Sequence, residues 1–317
     1  MNIGVVGPGA MGCLFGGLLA RGAHKVVLLD YKSGRAARIR KTGVAIEGPT
    51  GTLSVAVEAT ASVKGGEGLD LIIFCVKAYD TKAAAGRIKP VVGPDTLVLT
   101  LQNGLGNVEA LEEVFGPGRV LAAVTGQGAT LLGSGRVRHA GFGKTYIGWP
   151  KPELADDPAR REQAAAVAEV LRVAGMETEV VPRIRNYVWH KLILNAAINP
   201  LGALLRLKNG DLLNSEKAME LIPDLVREAV AVARFTGVLL PAEDYMAEVR
   251  ALLEQTKDNS CSMLQDVARG RRTEVAYING ALGQTAQSFG MDISVNQLLA
   301  ALVEATELSY TQQIGRP

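Results

Sequence analysis

The chain has 317 residues, 48% of them hydrophobic and 21% charged. That composition excludes a disordered chain and makes two domains the natural division of the length. With 34 basic and 32 acidic residues, a formal net charge of +2 and 5% aromatics, neither a global field nor a stacking surface favours nucleic acid or a membrane.

Met1 to Gly7 has no charged segment ahead of its apolar run, so no leader peptide is expected, and the lack of 18 consecutive apolar residues predicts no spanning helix. Cys13, Cys75 and Cys261 fit neither a disulfide framework nor a zinc cluster. Cys13 and Cys75 sit in apolar runs and read as buried small hydrophobes; a reducing, cytoplasmic setting and no metal site are expected. In chain order, Ile3 to Val6 predicts a strand, Met11 to Arg21 a helix and Val26 to Leu29 a second strand. Thr52 to Val57 alternates and suits a hairpin or an edge. Leu71 to Val76 and Thr96 to Leu101 predict buried strands; Val120 to Leu132 and Gly143 to Gly148 look extended. Runs apolar throughout, alternating with helical patterns, indicate a parallel sheet covered on both faces.

Lys151 to Asp157 reads as a surface loop, Pro158 opens a helix ending near Gly175, and Glu177 to Val181 is a last short strand. From Asn186 onward amphipathic helices dominate: Tyr187 to Leu205, Glu216 to Thr236, Ala242 to Gln255, Ser260 to Arg269, Glu274 to Phe289 and Val295 to Tyr310. A boundary near Arg183 divides an α/β domain, 1–183, from an all-α domain, 184–317.

Gly7-Pro8-Gly9-Ala10-Met11-Gly12 is G-x-G-x-x-G between a strand and a helix. Gly7 permits the tight turn, Gly9 lets backbone N–H groups approach a pyrophosphate, and Gly12 allows close helix–strand packing, with the helix N-terminus favouring an anion. The first domain is therefore expected to be a Rossmann-type doubly wound sheet binding a dinucleotide, rather than to carry an ordinary Gly-rich turn. Asp30 lies 18 positions after Gly12. An acid there accepts from a ribose 2′-OH and favours NAD, yet Lys32 and Arg35 follow and can neutralise a 2′-phosphate.

Lys191, Asn195 and Asn199 fall at i, i+4 and i+8 among Leu, Ile and Ala, within about 80° of one helix face. Such a stripe is either satisfied internally, exposed to solvent, or aimed at a ligand. His190 lies about 100° round the helix and reads as a packed or capping residue.

The chain resembles the ketopantoate reductase (2-dehydropantoate 2-reductase) family. The resemblance rests on Gly7 to Gly12, Val76-Lys77-Ala78-Tyr79, Leu101-Gln102-Asn103-Gly104-Leu105-Gly106, Lys191-Leu192-Ile193-Leu194-Asn195 running into Ile198-Asn199-Pro200-Leu201, Ser262-Met263-Leu264-Gln265-Asp266, and Arg272-Thr273-Glu274 through Tyr277-Ile278-Asn279-Gly280. It implies reduction of 2-dehydropantoate to (R)-pantoate by a nicotinamide hydride, a step toward pantothenate and coenzyme A. Lys191 would be the general acid and Glu274 its catalytic neighbour, also near the cofactor. Asn103, Lys191, Asn195, Asn199, Asn209 and Ser262 would contact the substrate; the flanks of Asn209 differ from the family's. Gly7, Pro8, Gly9, Ala10, Met11, Gly12, Asp30, Lys32, Arg35, Lys77, Asn103, Ala129 and Glu274 are the expected cofactor-binding positions. Against these roles, Lys77 is also readable as a surface lysine at a strand end, and Glu274 as a first-turn acid after Thr273 as N-cap.

The family often carries a basic residue at the end of the second strand, consistent with its usual NADPH. Here Asp30 comes first. The expectation is NADP(H), with NAD(H) left open by Asp30. The partner is a small 2-keto acid; no nucleic acid or membrane is expected, and a homodimer is allowed. The alternatives are a reductase of another branched 2-keto acid and a non-catalytic dinucleotide sensor.

Overall fold

Short runs of apolar residues form the centre of a single mixed sheet. In the computed structural model, which describes residues 1–22, 24–62 and 68–312, the chain separates into two units, Met1–Gln102 with Asn107–Ile184 and Asn103–Gly106 with Arg185–Pro317. The short Asn103–Gly106 segment therefore groups with the helical residues, a division that a single cut near Arg183 does not capture.

The first unit runs β1 (Asn2–Val6), α1 (Ala10–Ala20), β2 (Lys25–Leu29), α2 (Ser33–Thr42), β3 (Val44–Gly48), β4 (Gly51–Val55), β5 (Glu58–Thr60), β6 (Leu71–Phe74), α3 (Thr81–Ile88), β7 (Leu97–Thr100), α4 (Asn107–Phe115), β8 (Val120–Gly133), β9 (Arg136–Gly148), α5 (Pro152–Ala155), α6 (Pro158–Val173) and β10 (Thr178–Val180). The strand order is β4-β3-β9-β8-β7-β6-β1-β2-β5, with β10 beside β9. Strands β2, β1, β6, β7 and β8 are parallel, whereas β3–β4 and β8–β9 are antiparallel hairpins. The hairpin expected near Thr52 is thus β3–β4, at the sheet edge. Ile3, Val5, Leu28, Leu71, Ile73 and Leu99 are buried between the helical layers, the covering that an apolar parallel strand requires.

The register positions the site. Val6 pairs with Leu29 on one side and Phe74 on the other, so the carboxyl ends of β1, β2 and β6 lie level. The chain runs to one side of β1 for β2 and β5, and to the other for β6 and β7. This reversal is the switch point at which open α/β sheets bind ligands.

The second unit holds α7 (Ile184–Leu205), most of which belongs to it, then α8 (Asn209–Leu213), α9 (Glu216–Phe235), α10 (Tyr245–Gln255), α11 (Ser262–Ala268), α12 (Asn279–Ser288) and α13 (Ser294–Leu308). Its core joins α7, α9 and α13 through Leu192, Ile193, Ala196, Ile222, Leu225, Ala229 and Val303.

Two sequence expectations are corrected. Lys151 to Asp157, read as a loop, contains α5, because Pro152 pre-sets the first helical turn and Glu153 favours its N-terminus. Glu274 to Phe289 is not one helix. A short 3₁₀ turn (Val275–Tyr277) ends at Ile278, whose φ of −107° and ψ of −87° break the helical path before α12. No helix among the described residues is long and apolar enough to cross a membrane, and no group of three or more His, Cys, Asp or Glu is placed to hold a metal.

Candidate active site

The three glycines of the first turn do different work. Gly7 has φ +87°, and a Cβ there would lie 2.5 Å from a Val76 methyl. A Cβ on Gly12 would lie 2.1 Å from the Gly7 carbonyl oxygen, so the helix can start this close to β1 only with glycine. Gly9 is the N-cap of α1, with extended backbone and no side-chain cap. Nothing lies within 4 Å of the Cβ it lacks. The open space at Gly9, in front of uncapped helical N–H groups, fits a pyrophosphate. Pro8 and Met11 complete the turn, and the Pro8 carbonyl accepts from Cys13 Sγ at 3.4 Å. Burial raises the Cys13 thiol to about 12, so it stays protonated as that donor.

Beside this cradle is a groove lined by Val6, Gly7, Asp30, Tyr31, Val76 and Arg87, among others. Asp30 is buried at its rim. Its carboxylate accepts both Arg35 Nε and Arg35 Nη2, the latter at 2.6 Å, and the Lys32 backbone N–H at 3.0 Å. That pairing with Asp30 holds Arg35 above its usual guanidinium range. Of the two cations expected beside Asp30, then, Arg35 is occupied in neutralising it. The sequence reading missed two groove residues. Tyr31 is 55% exposed, and its ring centroid lies 5.3 Å from Lys32 Nζ and 5.5 Å from Arg87 Cζ. Arg87 is remote in sequence, on α3, and only the sheet order brings it here.

Lys77 follows β6 and caps the short turn Ala78–Asp80. Gln102, for which the sequence alone suggests no role, fixes this turn: its Nε2 donates to the Val76 carbonyl at 3.0 Å and to Thr81 Oγ1 at 2.7 Å. Ala129 sits on the β8–β9 ribbon opposite His139, seven residues beyond the last β7–β8 pair, Thr100–Ala122. That is roughly 20 Å along the strand.

In the second unit, Lys191, Asn195 and Asn199 all lie on α7, with Asn199 buried and the other two half-buried. Burial lowers Lys191 from the ordinary lysine value to about 8, and the charge of Glu274 opposes the drop. Glu274 is itself buried, and it leads into the 3₁₀ turn whose first N–H, Val275, is taken by Thr273 Oγ1 at 3.1 Å. Asn103 belongs to this unit because Gly104, at φ +85°, lets Leu105 N donate to the Tyr277 carbonyl at 2.9 Å. Ser262 opens α11, and its neighbour Cys261 donates from Sγ to the Asn199 carbonyl at 3.6 Å. Asn209 donates from Nδ2 to Thr256 Oγ1 at 2.7 Å, while its buried Oδ1 accepts no hydrogen bond. His190, expected to be a packing residue, faces the Tyr245 hydroxyl at 3.1 Å.

Both parts of the chain have counterparts in known proteins. Residues 3–151 match the family described as Ketopantoate reductase PanE/ApbA, and residues 183–307 match its C-terminal part. A 2-dehydropantoate 2-reductase of Pyrococcus horikoshii is 39% identical over 308 residues, covering 97% of this chain and 98% of its own length. The crystal structure of a PanE/ApbA family ketopantoate reductase from Ralstonia eutropha has a TM-score of 0.87 at 34% identity, covering 98% of this chain and 100% of that one. A D-mandelate dehydrogenase solved with NADH has a TM-score of 0.88 at 25% identity, covering 98% and 99%. With its Gly-rich cradle, its Lys191 stripe and both family segments matched, the chain belongs to the ketopantoate reductase family.

Proposed function

We propose that this chain reduces the ketone of 2-dehydropantoate to (R)-pantoate with NADP(H), a step toward pantothenate and coenzyme A, with Lys191 as proton donor. The observation that carries the reading is the stripe on α7, where Lys191 is poised near pH 8 under the charge of buried Glu274, in line with Asn195 and Asn199. When bound, NADP(H) supplies a hydride to the carbonyl carbon. Negative charge then builds on the carbonyl oxygen, and a cation able to give up a proton is the group that relieves it. The Lys191 ammonium is such a group, and its lowered pKa makes it a better acid than an exposed lysine. Glu274 holds it protonated at neutral pH. Asn103, Asn195, Asn199, Asn209 and Ser262 bind the carboxylate and hydroxyl without adding charge. The unpartnered Asn209 Oδ1 suits a hydroxyl donor.

The cofactor assignment rests on the groove. Arg35 neutralises Asp30, which removes the repulsion an acid would exert on a 2′-phosphate. Lys32 and Arg87 stand over Tyr31 as the cations to receive that phosphate, and the ring offers a face to adenine. A cytoplasmic setting belongs to the same reading. The fold shared with D-mandelate dehydrogenase favours one alternative, reduction of an aryl 2-keto acid with NADH.

Oxidation of NADPH and NADH, measured in parallel with 2-dehydropantoate and with an aryl 2-keto acid, separates these readings. The expected result is the highest kcat/KM for NADPH with 2-dehydropantoate. A higher value for NADH, or for the aryl acid, would overturn the corresponding half of the proposal. Nucleotide binding without turnover on either acid would identify a sensor.

A further inference from the structure

Pro200 stands inside α7, directly after Asn199. Having no N–H, it leaves the carbonyl four residues back, that of Ala196, without its helical donor, and its ring presses on that same carbonyl. The donor comes from another helix. Asn279, at the start of α12 and fully buried, donates from Nδ2 to the Ala196 oxygen at 3.0 Å. The same Nδ2 donates to Asn296 Oδ1 at 3.0 Å. Asn296, also fully buried, donates from Nδ2 to the Leu225 carbonyl at 3.1 Å and to Glu228 Oε2 at 2.8 Å. Glu228, on α9, also accepts the backbone N–H groups of Val295 and Asn296 at 3.0 and 2.9 Å, capping the N-terminus of α13.

The polarity of this chain of bonds is fixed from end to end. Glu228 and the Leu225 carbonyl only accept, so the Asn296 amino group faces them and its oxygen faces Asn279. Asn279 must then turn its amino group toward Asn296 and the Ala196 carbonyl, which leaves its own Oδ1 buried without a partner. A buried orphan oxygen is costly. The fold keeps it, and the amino group is thereby held on one particular carbonyl of α7, between Asn195 and Asn199.

We propose that Asn279, oriented by Asn296 and Glu228, is a positioning residue: it fills the gap that Pro200 leaves in the hydrogen-bond ladder of α7 and so sets the direction of Asn199 relative to Lys191 and Asn195. The proposal rests on the reading that these three face the substrate. Neither Asn279 nor Asn296 touches the reacting atoms; they act through the Ala196 peptide. Misplacement of binding groups by about 1 Å can cost on the order of 10²-fold in rate, so a hydrogen bond at this point governs more than stability.

The test uses Asn279→Ala, Pro200→Ala and the double variant, with Asn199→Ala alongside. Asn279→Ala is expected to lower kcat/KM for 2-dehydropantoate by about 10²-fold and leave the Kd for NADPH unchanged. In the double variant, residue 200 regains an N–H for the Ala196 carbonyl. Its Tm is expected to recover while kcat/KM stays low, because the Ala196 carbonyl is then held by α7 itself and no longer by Asn279. Recovery of both would show that Asn279 only satisfies a carbonyl, and unaltered kcat/KM in Asn279→Ala would also overturn the proposal. If Asn279→Ala does not fold, the double variant decides alone. A double variant that also fails to fold contradicts the assignment, since α7 then supplies that carbonyl's donor itself. Normal kcat/KM in Asn199→Ala would instead sink the reading of the stripe as a substrate site, a separate failure.

Discussion

The nucleotide cradle of the first unit is made of backbone, and the polar stripe of the second is made of side chains. In the cradle, what matters is what glycine omits: a Cβ at position 12 would collide with the Gly7 carbonyl, and one at position 9 would enter open space. On α7 the candidate groups are ordinary Lys and Asn, and they depend on distant parts of the chain: the charge of Glu274 acts on Lys191 and Asn279 donates to the Ala196 carbonyl. A site built from backbone can be read from a short contiguous motif. A site built from side chains is spread over the chain, and a change far away in sequence can alter it.

The contrast is broken most sharply at Lys191. Lys191→Ala is expected to lower kcat by about 10²- to 10⁴-fold, the usual loss for a positioned general acid, with little effect on the Kd for NADPH. Stopped-flow hydride transfer and fluorescence titration measure the two. An equal loss of both would mean that the units do not divide binding and chemistry in this way.

Within the cradle, Gly12→Ala and Gly9→Ala should fail differently. At position 12 the added methyl meets a backbone oxygen that cannot retreat, so a stability loss of about 1–3 kcal/mol is expected, as for overpacking. Gly9→Ala should keep its Tm and lose affinity for the dinucleotide. Thermal unfolding with and without NADPH distinguishes them; a Gly9→Ala protein that binds NADPH normally would remove the pyrophosphate from that space.

A smaller effect concerns Arg35. Arg35→Ala should uncover the Asp30 carboxylate and raise the KM for NADPH more than that for NADH. The loss of charge-assisted bonds of about 1.5–3 kcal/mol sets the scale. Equal changes would mean that Asp30 does not face the 2′ position.

The smallest expected effect is on stability, and it has the opposite sign to the effect on activity. The folded-state pKa of Lys191 lies near 8, below its unfolded value. Between the two the unfolded chain binds more protons, so this group's penalty is present at neutral pH and fades as pH rises through that window. Lys191→Met should therefore raise Tm at pH 7 while removing turnover. A lower Tm would show that Lys191 contributes to folding as well as chemistry.

Much of this was legible in advance, for physical reasons that differ between the units. The apolar runs at Ile3, Leu71 and Thr96 have few ways to fold except as covered parallel strands, and Gly7 to Gly12 fixed the first turn. The i, i+4, i+8 spacing put Lys191, Asn195 and Asn199 on one face. What the residues alone did not show depends on tertiary placement. Arg87 reaches the groove because β6 lies beside β1, and Arg35 is taken up by Asp30 because α2 begins within reach of it. The break at Ile278 interrupts a pattern that is helical by composition, and the partner of the Ala196 carbonyl lies 83 residues away.

The proton donor is tested most directly by the pH dependence of kcat/KM for 2-dehydropantoate reduction. Lys191 must be protonated to act, so kcat/KM should be flat at neutral pH and fall as pH rises through about 8. In Glu274→Gln, where the opposing charge is gone, the fall should move to lower pH. A profile that stays flat well above pH 8, or one that Glu274→Gln does not shift, would contradict Lys191 as the acid.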